Sequence, residues 1–238
     1  MSLDEHISIV FNDIKIHEKI HYFDLWKKIY KKINPHLDLN FNNLSNYKRI
    51  YKNFFLSKYF IYTNELNGDV IECGVLGGFS AYLLRNIESE LERKFKNNFY
   101  LIDSFEGLSE ISKEDLIKDN SLYQHKQGEL KVDIKEVEKN FNIFDNVNLV
   151  KGWVPKIFTI LNDDNKYRFV HLDMDLYKPT IDALNYIYDK VIKGGIIITD
   201  DYVSPLFPGN KIAWDEFIKS NKIDEWIQLP SGQAVLIK

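Results

Sequence analysis

The run RFVHLDMDLYKPTIDALNYIYDKVIKGGIIITDDY, Arg168 to Tyr202, decides the fold. It opens as a short apolar strand ending in carboxylates. KPTIDALNYIYDKVIKGG then predicts a helix, with Pro179 suited to its first turn and Gly194-Gly195 closing it. IIITDDY is a second apolar strand, and it too ends in carboxylates. Two strands joined by one helix form a right-handed βαβ unit, so they lie parallel and finish on the same edge of the sheet. Asp173 and the pair Asp200-Asp201 are thereby brought together, although 27 residues separate Asp173 from Asp200. Carboxylates gathered at such an edge repel one another unless a cation sits among them.

Upstream, DVIECGVLGGFSAYLLRNIE reads as strand, glycine turn and helix opening. That arrangement lets backbone approach a nucleotide-like ligand, with helix N–H groups facing an anionic group. Gly74 allows the turn, Gly77 and Gly78 the close approach, and Glu72 is placed to meet the ligand's ammonium or sugar. The spacing E-x-G-x-x-G-G differs from the dinucleotide fingerprint G-x-G-x-x-G. Cys73 reads as a small buried strand residue rather than a nucleophile. In FYLIDSFEGL, Asp103 closes the next strand with Ser104 beside it. An acid at that point can accept hydrogen bonds from ribose hydroxyls, or serve only as a loop carboxylate. Residues 104–128 are polar and aperiodic, the pattern of a flap over a site. Tyr123 and His125 in it are candidates for substrate contact. Gly152 and Trp153 fall at a further strand end, where Trp153 suits either an adenine or core packing.

Strands at 69–73, 99–102, 147–150, 168–173 and 195–200 alternate with helices and precede a hairpin, EWIQLP and QAVLIK. The expected fold is α/β: a doubly wound, mostly parallel Rossmann-like sheet with a C-terminal antiparallel hairpin. Two helical runs, IVFNDIKIHEKIHYFDLWKKIYKKI and YKRIYKNFFLSKYFIYTNEL, break at Asn34-Pro35 and Asn67-Gly68. The expected division is an N-terminal helical appendage, 1–64, and the α/β domain, 65–238. The appendage suits a lid, a subunit contact in a homo-oligomer, or plain packing.

The chain has 238 residues, 45% hydrophobic and 14% aromatic, with a formal net charge of −4. Without a basic run, duplex nucleic acid is a poor partner. No stretch reaches the ~20 apolar residues of a membrane helix, and MSLDEHISIVFND has no signal-peptide pattern. A single cysteine suits a reducing compartment, so the expected location is cytoplasmic. The glycine loop with Asp103 describes a pocket for an adenosine-containing cofactor. The carboxylates Asp173, Asp200 and Asp201 describe an oxygen-ligand site for a hard cation, most simply Mg²⁺. No Cys/His set supports zinc. His171 shares the strand face of Asp173 and reads as a supporting histidine. Asp175 is either a further ligand or the cap of the following helix.

Taken together, VIECGV and its glycines, IDSFEGL, HLDMDLYKPTIDAL and GGIIITDDY resemble the macrocin O-methyltransferase family over roughly residues 66–220. The resemblance implies S-adenosylmethionine-dependent methylation of sugar hydroxyls. Its metal ligands match Asp173, Asp200 and Asp201, and its cofactor contacts match Glu72, Gly74 and Asp103. The loop departs from the family's pattern: Leu76-Gly77 replace an aromatic–basic pair, and Phe79 replaces the second glycine. On this reading Asp173 is both ligand and catalytic base, and Mg²⁺ acidifies the acceptor hydroxyl. The rival readings are a metal-dependent glycosyltransferase using the D-x-D at 173–175, a nicotinamide dehydrogenase, and a non-catalytic domain of the same fold.

Overall fold

The computed structural model describes residues 14–35, 44–91 and 93–238, with the side chains of 44 and 45 left aside. In chain order come strands β1 (Lys15–His17) and β2 (Ile20–His21), helices α1 (Tyr22–Ile33) and α2 (Leu44–Tyr62), strand β3 (Asp69–Cys73) and helix α3 (Phe79–Glu90). Strand β4 (Phe99–Asp103), helix α4 (Ile134–Phe141) and strands β5 (Val147–Lys151) and β6 (Tyr167–Leu172) follow. The chain ends with α5 (Tyr177–Ile187), β7 (Val191–Thr199), α6 (Pro208–Asn221), β8 (Trp226–Gln228) and β9 (Ala234–Ile237).

The main sheet has seven strands in the order β5-β4-β3-β6-β7-β9-β8. The first five are parallel, and β9 inserts antiparallel between β7 and β8. This is the expected doubly wound sheet with its antiparallel hairpin. Alternation along β7 sends Ile196 and Ile198 to one face and Ile197 to the other. Helices α1, α2, α3 and α4 cover the first face, and α5 and α6 the second.

Two local expectations are corrected. Residues 15–21 form a hairpin, β1 with β2, where a helix was expected. Lys15, Ile16 and His17 run exposed, buried and half-buried, a period of two that favours a strand over a helix. The helical expectation for residues 9–13 lies outside the described residues. Gly194-Gly195 do not end a helix. Helix α5 stops at Ile187 and passes through the 3-10 turn Tyr188–Lys190 into β7, which contains both glycines. The β6–β7 register shifts between the pairs Tyr167–Val191 and Phe169–Ile196, and Gly194 has φ +79°. The glycines therefore serve a bulge in a strand.

Helix α2 is a strut across the first face. Near its carboxyl end Phe60 packs on Phe99 and Phe169, with ring centroids 6.0 and 5.2 Å away. Just beyond, Thr63 Oγ1 accepts a 2.7 Å hydrogen bond from buried Arg168, whose other nitrogen donates to Glu88 at 2.6 Å. From Thr63 back to Lys52 is eleven residues, ~16 Å of helix. Arg168 to Asp173 along β6 covers about the same length. A helix anchored at the amino edge of the sheet thus delivers Lys52 to the carboxyl edge.

Candidate active site

Successive ladder hydrogen bonds fix the strand exits in one row. Gly152 N donates to Asp103 O at 2.8 Å, Gly74 N to Ile102 O at 2.9 Å, Asp173 N to Cys73 O at 2.8 Å and Asp200 N to Leu172 O at 3.0 Å. Gly74 has φ +88°, and a Cβ there would overlap the carbonyl oxygen of Asp173. Only glycine lets β3 turn away so close to the end of β6.

A cavity of about 210 Å³ opens above this row, lined among others by Gly74, Leu76, Asp103, Gly152, Trp153 and Asp173. Ser104, Met174 and Asp175 also reach it. The structure therefore brings together Gly74, Asp103, Ser104, Gly152, Trp153 and Asp173 of the expected site. Asp103 is also a local organiser: Oδ2 accepts from Val75 N at 2.7 Å and Leu76 N at 2.9 Å, and Oδ1 from Phe105 N at 2.7 Å. A carboxylate offers about four lone-pair sites, so three amides leave room for one more donor. Trp153 is 39% exposed, leaving its ring available to the cavity.

Three of the expected cofactor-binding residues are not among those lining the cavity. Glu72 is buried behind the cavity, where Oε1 accepts from Ser80 Oγ at 2.5 Å and Oε2 stands 3.6 Å from His171 Nδ1. The register pairs Glu72 with His171 across β3 and β6, which turns this acid toward the histidine. Gly78 is the left-handed residue before α3, and a side chain there would strike Phe141. Gly77 faces open space and is not among the cavity's lining residues.

The acids divide into two groups. Asp173, Asp175 and Asp201 each present an oxygen within 4.8 Å of the others. Asp200 stands apart: Oδ2 accepts from Lys52 Nζ at 2.8 Å and Oδ1 from Gln233 Nε2 at 2.7 Å, with His171 Nε2 3.7 Å away. Lys52 also reaches Asp201 Oδ1 at 3.0 Å. Burial, then the charges of Asp200 and Asp201, hold the Asp173 carboxyl well above the usual range. Burial, then Asp201 and Asp173, do the same to Asp175. Burial would raise Asp200 as well, but Lys52 and His171 hold it below its ordinary value. Burial would lower His171, yet Asp200 and Glu72 raise it well above. Three close carboxylates, two of them pushed toward their neutral form, suit a hard dication with oxygen ligands, so the donor set fits Mg²⁺.

Asp175 does not cap α5. The cap residue Leu176 makes no side-chain bond, and Tyr177 N donates instead to Asp115 Oδ1 at 2.7 Å. Asp115 reaches there from the 104–128 segment, whose own ends are closed by Leu108 N to Glu129 O and Gly128 N to Leu108 O. Tyr123 and His125 both bind Glu129, and His125 stacks on Phe207 with centroids 4.9 Å apart. Neither is among the residues lining the cavity. Sequence reasoning missed Lys52, Asp115 and Gln233. Helical phase held one signal for Lys52, which lies one turn before buried Leu56. Asp115 and Gln233 carry no comparable signal.

The sequence profile of the macrocin O-methyltransferase family (TylF) matches residues 48–237. The demethyldecarbamoylnovobiocin O-methyltransferase of Streptomyces niveus is 30% identical over 172 residues, covering 70% of this chain and 64% of its own length. An 8-demethyl-8-(2,3-dimethoxy-alpha-L-rhamnosyl)-tetracenomycin-C 4'-O-methyltransferase of Streptomyces olivaceus is 29% identical over 140 residues, 57% of this chain and 53% of its own. The chain thus spans about half to two thirds of these relatives' length. The crystal structure of a calicheamicin methyltransferase superposes with TM-score 0.67 at 18% identity, covering 93% of this chain and 94% of that one, a likeness of fold. With the profile spanning most of the chain, from within α2 to the last strand, this protein belongs to the macrocin O-methyltransferase family.

Proposed function

We propose that the chain transfers a methyl group from S-adenosylmethionine to a sugar hydroxyl of a glycosylated small molecule, assisted by Mg²⁺. One observation carries the reading: the cavity lined by Gly74, Asp103 and Trp153 also takes in Asp173 and Asp175. A methyl donor held at one end is thereby presented to an acceptor held at the other. The family and the relatives' names support methyl transfer and a glycosylated acceptor. A glycosyltransferase using the D-x-D at 173–175 is less favoured, because that motif shares its cavity with Gly74 and Asp103, which such an enzyme leaves without a role.

Methyl transfer from a sulfonium is an in-line displacement: the acceptor oxygen forms the new bond to carbon, the carbon–sulfur bond breaks, and neutral thioether leaves. Asp103, Ser104, Gly152 and Trp153 hold the donor, and Gly74 brings its reacting end toward β6. Asp173, Asp175 and Asp201 would hold the cation, with Asp200, the third ligand expected from the sequence, engaged instead by Lys52 and Gln233. When bound, Mg²⁺ supplies a Lewis acid that makes a sugar hydroxyl easier to deprotonate. Asp173 takes the hydroxyl proton, since it lines the cavity directly at the end of β6.

Thermal shift with S-adenosylmethionine, a nucleotide sugar or NAD, each with and without Mg²⁺, tests the assignment. Stabilisation by S-adenosylmethionine alone among the three supports it, and preferential stabilisation by a nucleotide sugar overturns it. Asp173→Asn should abolish turnover at every Mg²⁺ concentration while donor affinity stays within about twofold. Wild-type turnover in that variant, or in excess EDTA, removes the metal-assisted mechanism.

A further inference from the structure

Helix α2 places an ammonium among the acids that a metal would need. Lys52 Nζ bonds Asp200 Oδ2 at 2.8 Å and Asp201 Oδ1 at 3.0 Å, and its side chain is 25% exposed. We propose that Lys52 is a resident counter-cation: it pairs with Asp200 and Asp201, competes with the divalent cation, and so sets the site's metal affinity. The proposal rests on the metal-assisted reading above and goes beyond it, by making a lysine of the N-terminal segment the determinant of metal loading.

Three observations point this way. Both oxygens of Asp200 are taken, one by Lys52 and the other by Gln233, so this acid is withdrawn from coordination while Lys52 stays. Asp201 is shared, since it belongs to the converging trio and also carries the ammonium. An incoming dication therefore meets a like charge within hydrogen-bonding distance of one of its own ligands. The helix is pinned at its far end through Thr63 and Arg168, so the ammonium is presented by an anchored strut. Loading the metal shifts Lys52 off Asp201, while Thr63 and Arg168 keep the far end of α2 in place.

The test is calorimetric titration of MgCl₂ into the full chain without methyl donor, comparing the parent with Lys52→Met and Lys52→Arg. Methionine keeps the apolar stem and removes the charge, whereas arginine keeps both charge and pairing. Lys52→Met should bind Mg²⁺ at least about tenfold more tightly, ~1.4 kcal/mol, and Lys52→Arg should stay within about threefold of the parent. A purely structural lysine would give the opposite, with Lys52→Met binding equally or more weakly, and that result overturns the proposal. A second readout needs no variant: acylation of Lys52, followed by peptide mass spectrometry, should quicken when Mg²⁺ saturates the parent. An unchanged or slower rate also overturns it. Binding to Lys52→Met but not to the parent supports the competition in its strongest form. Equal binding in all three sinks this proposal alone, and no binding in any of them sinks the metal-assisted reading with it.

Discussion

Asp173 and Asp175 are held toward their protonated form in the fold while no cation sits among them. Burial raises both, and neighbouring carboxylates raise them further. Unfolded aspartate titrates near ~3.9, so stability from these two groups is complete below that value and is lost as pH climbs toward their folded values. His171 is raised as well and has the same sign, its loss beginning above ~6.5. Asp200, held low, acts oppositely: its contribution is present above ~3.9 and disappears only in more acidic solution. In EDTA the melting temperature should therefore fall as pH rises above the unfolded aspartate value of ~3.9, and Mg²⁺ should flatten the curve by neutralising the crowded acids. A flat curve in EDTA, or one that Mg²⁺ leaves unchanged, would remove the crowding account. Asp175 is held in this cluster by its backbone, whose φ of +64° is tolerated better by aspartate than by most residues.

At the scale of elements, the 104–128 segment is tied down by Asp115, which is 2% exposed. Its Oδ2 accepts from Ser112 N at 2.9 Å and Ser112 Oγ at 2.7 Å, while Oδ1 serves the first amide of α5. Gly209, early in α6, leaves room for that carboxylate, which a Cβ there would overlap. Asp115→Ala strips the half-buried Tyr177 amide of its acceptor and should cost about 1–3 kcal/mol in chemical denaturation. Trypsin should also cut faster after Lys118, in the exposed part of the loop. Stability and cleavage both unchanged would mean that the segment is anchored elsewhere. A flap hinged on this residue would move its remaining length, with Leu108 and Ser109 at the cavity rim.

For the whole molecule, the expected appendage shares its core with the sheet. Tyr22, Trp26, Ile29, Ile50, Leu56 and Phe60 are buried in one cluster with Val70, Leu101 and Phe169. Uncovering that face forfeits roughly 10 kcal/mol or more, as much as the ~5–15 kcal/mol that holds a domain folded. We propose that 1–64 and 65–238 fold as one cooperative unit. A 65–238 fragment should bind a hydrophobic dye and lose its sharp thermal transition. A fragment that melts cooperatively near the full chain's temperature would restore the division at residue 64. Among the described residues, no helix is long and apolar enough to cross a membrane.

The sequence by itself determined the sheet and the row of chemistry along its edge. Apolar runs of five or six residues alternating with helices force parallel crossovers, and acids or glycines ending those runs must then share one edge. These signals are local, and local physics suffices for them. Tertiary structure alone decided which acids converge. Lys52 meets Asp200 across 148 residues, and Gln233 meets it across 33. Asp115 caps α5 from 62 residues away and leaves Asp175 to join Asp173 and Asp201. The glycine pair read as a helix stop became a strand bulge because Val191 found Tyr167 as its partner. Such pairings have no signature in residue spacing, since their energy appears only once the sheet has brought distant segments together.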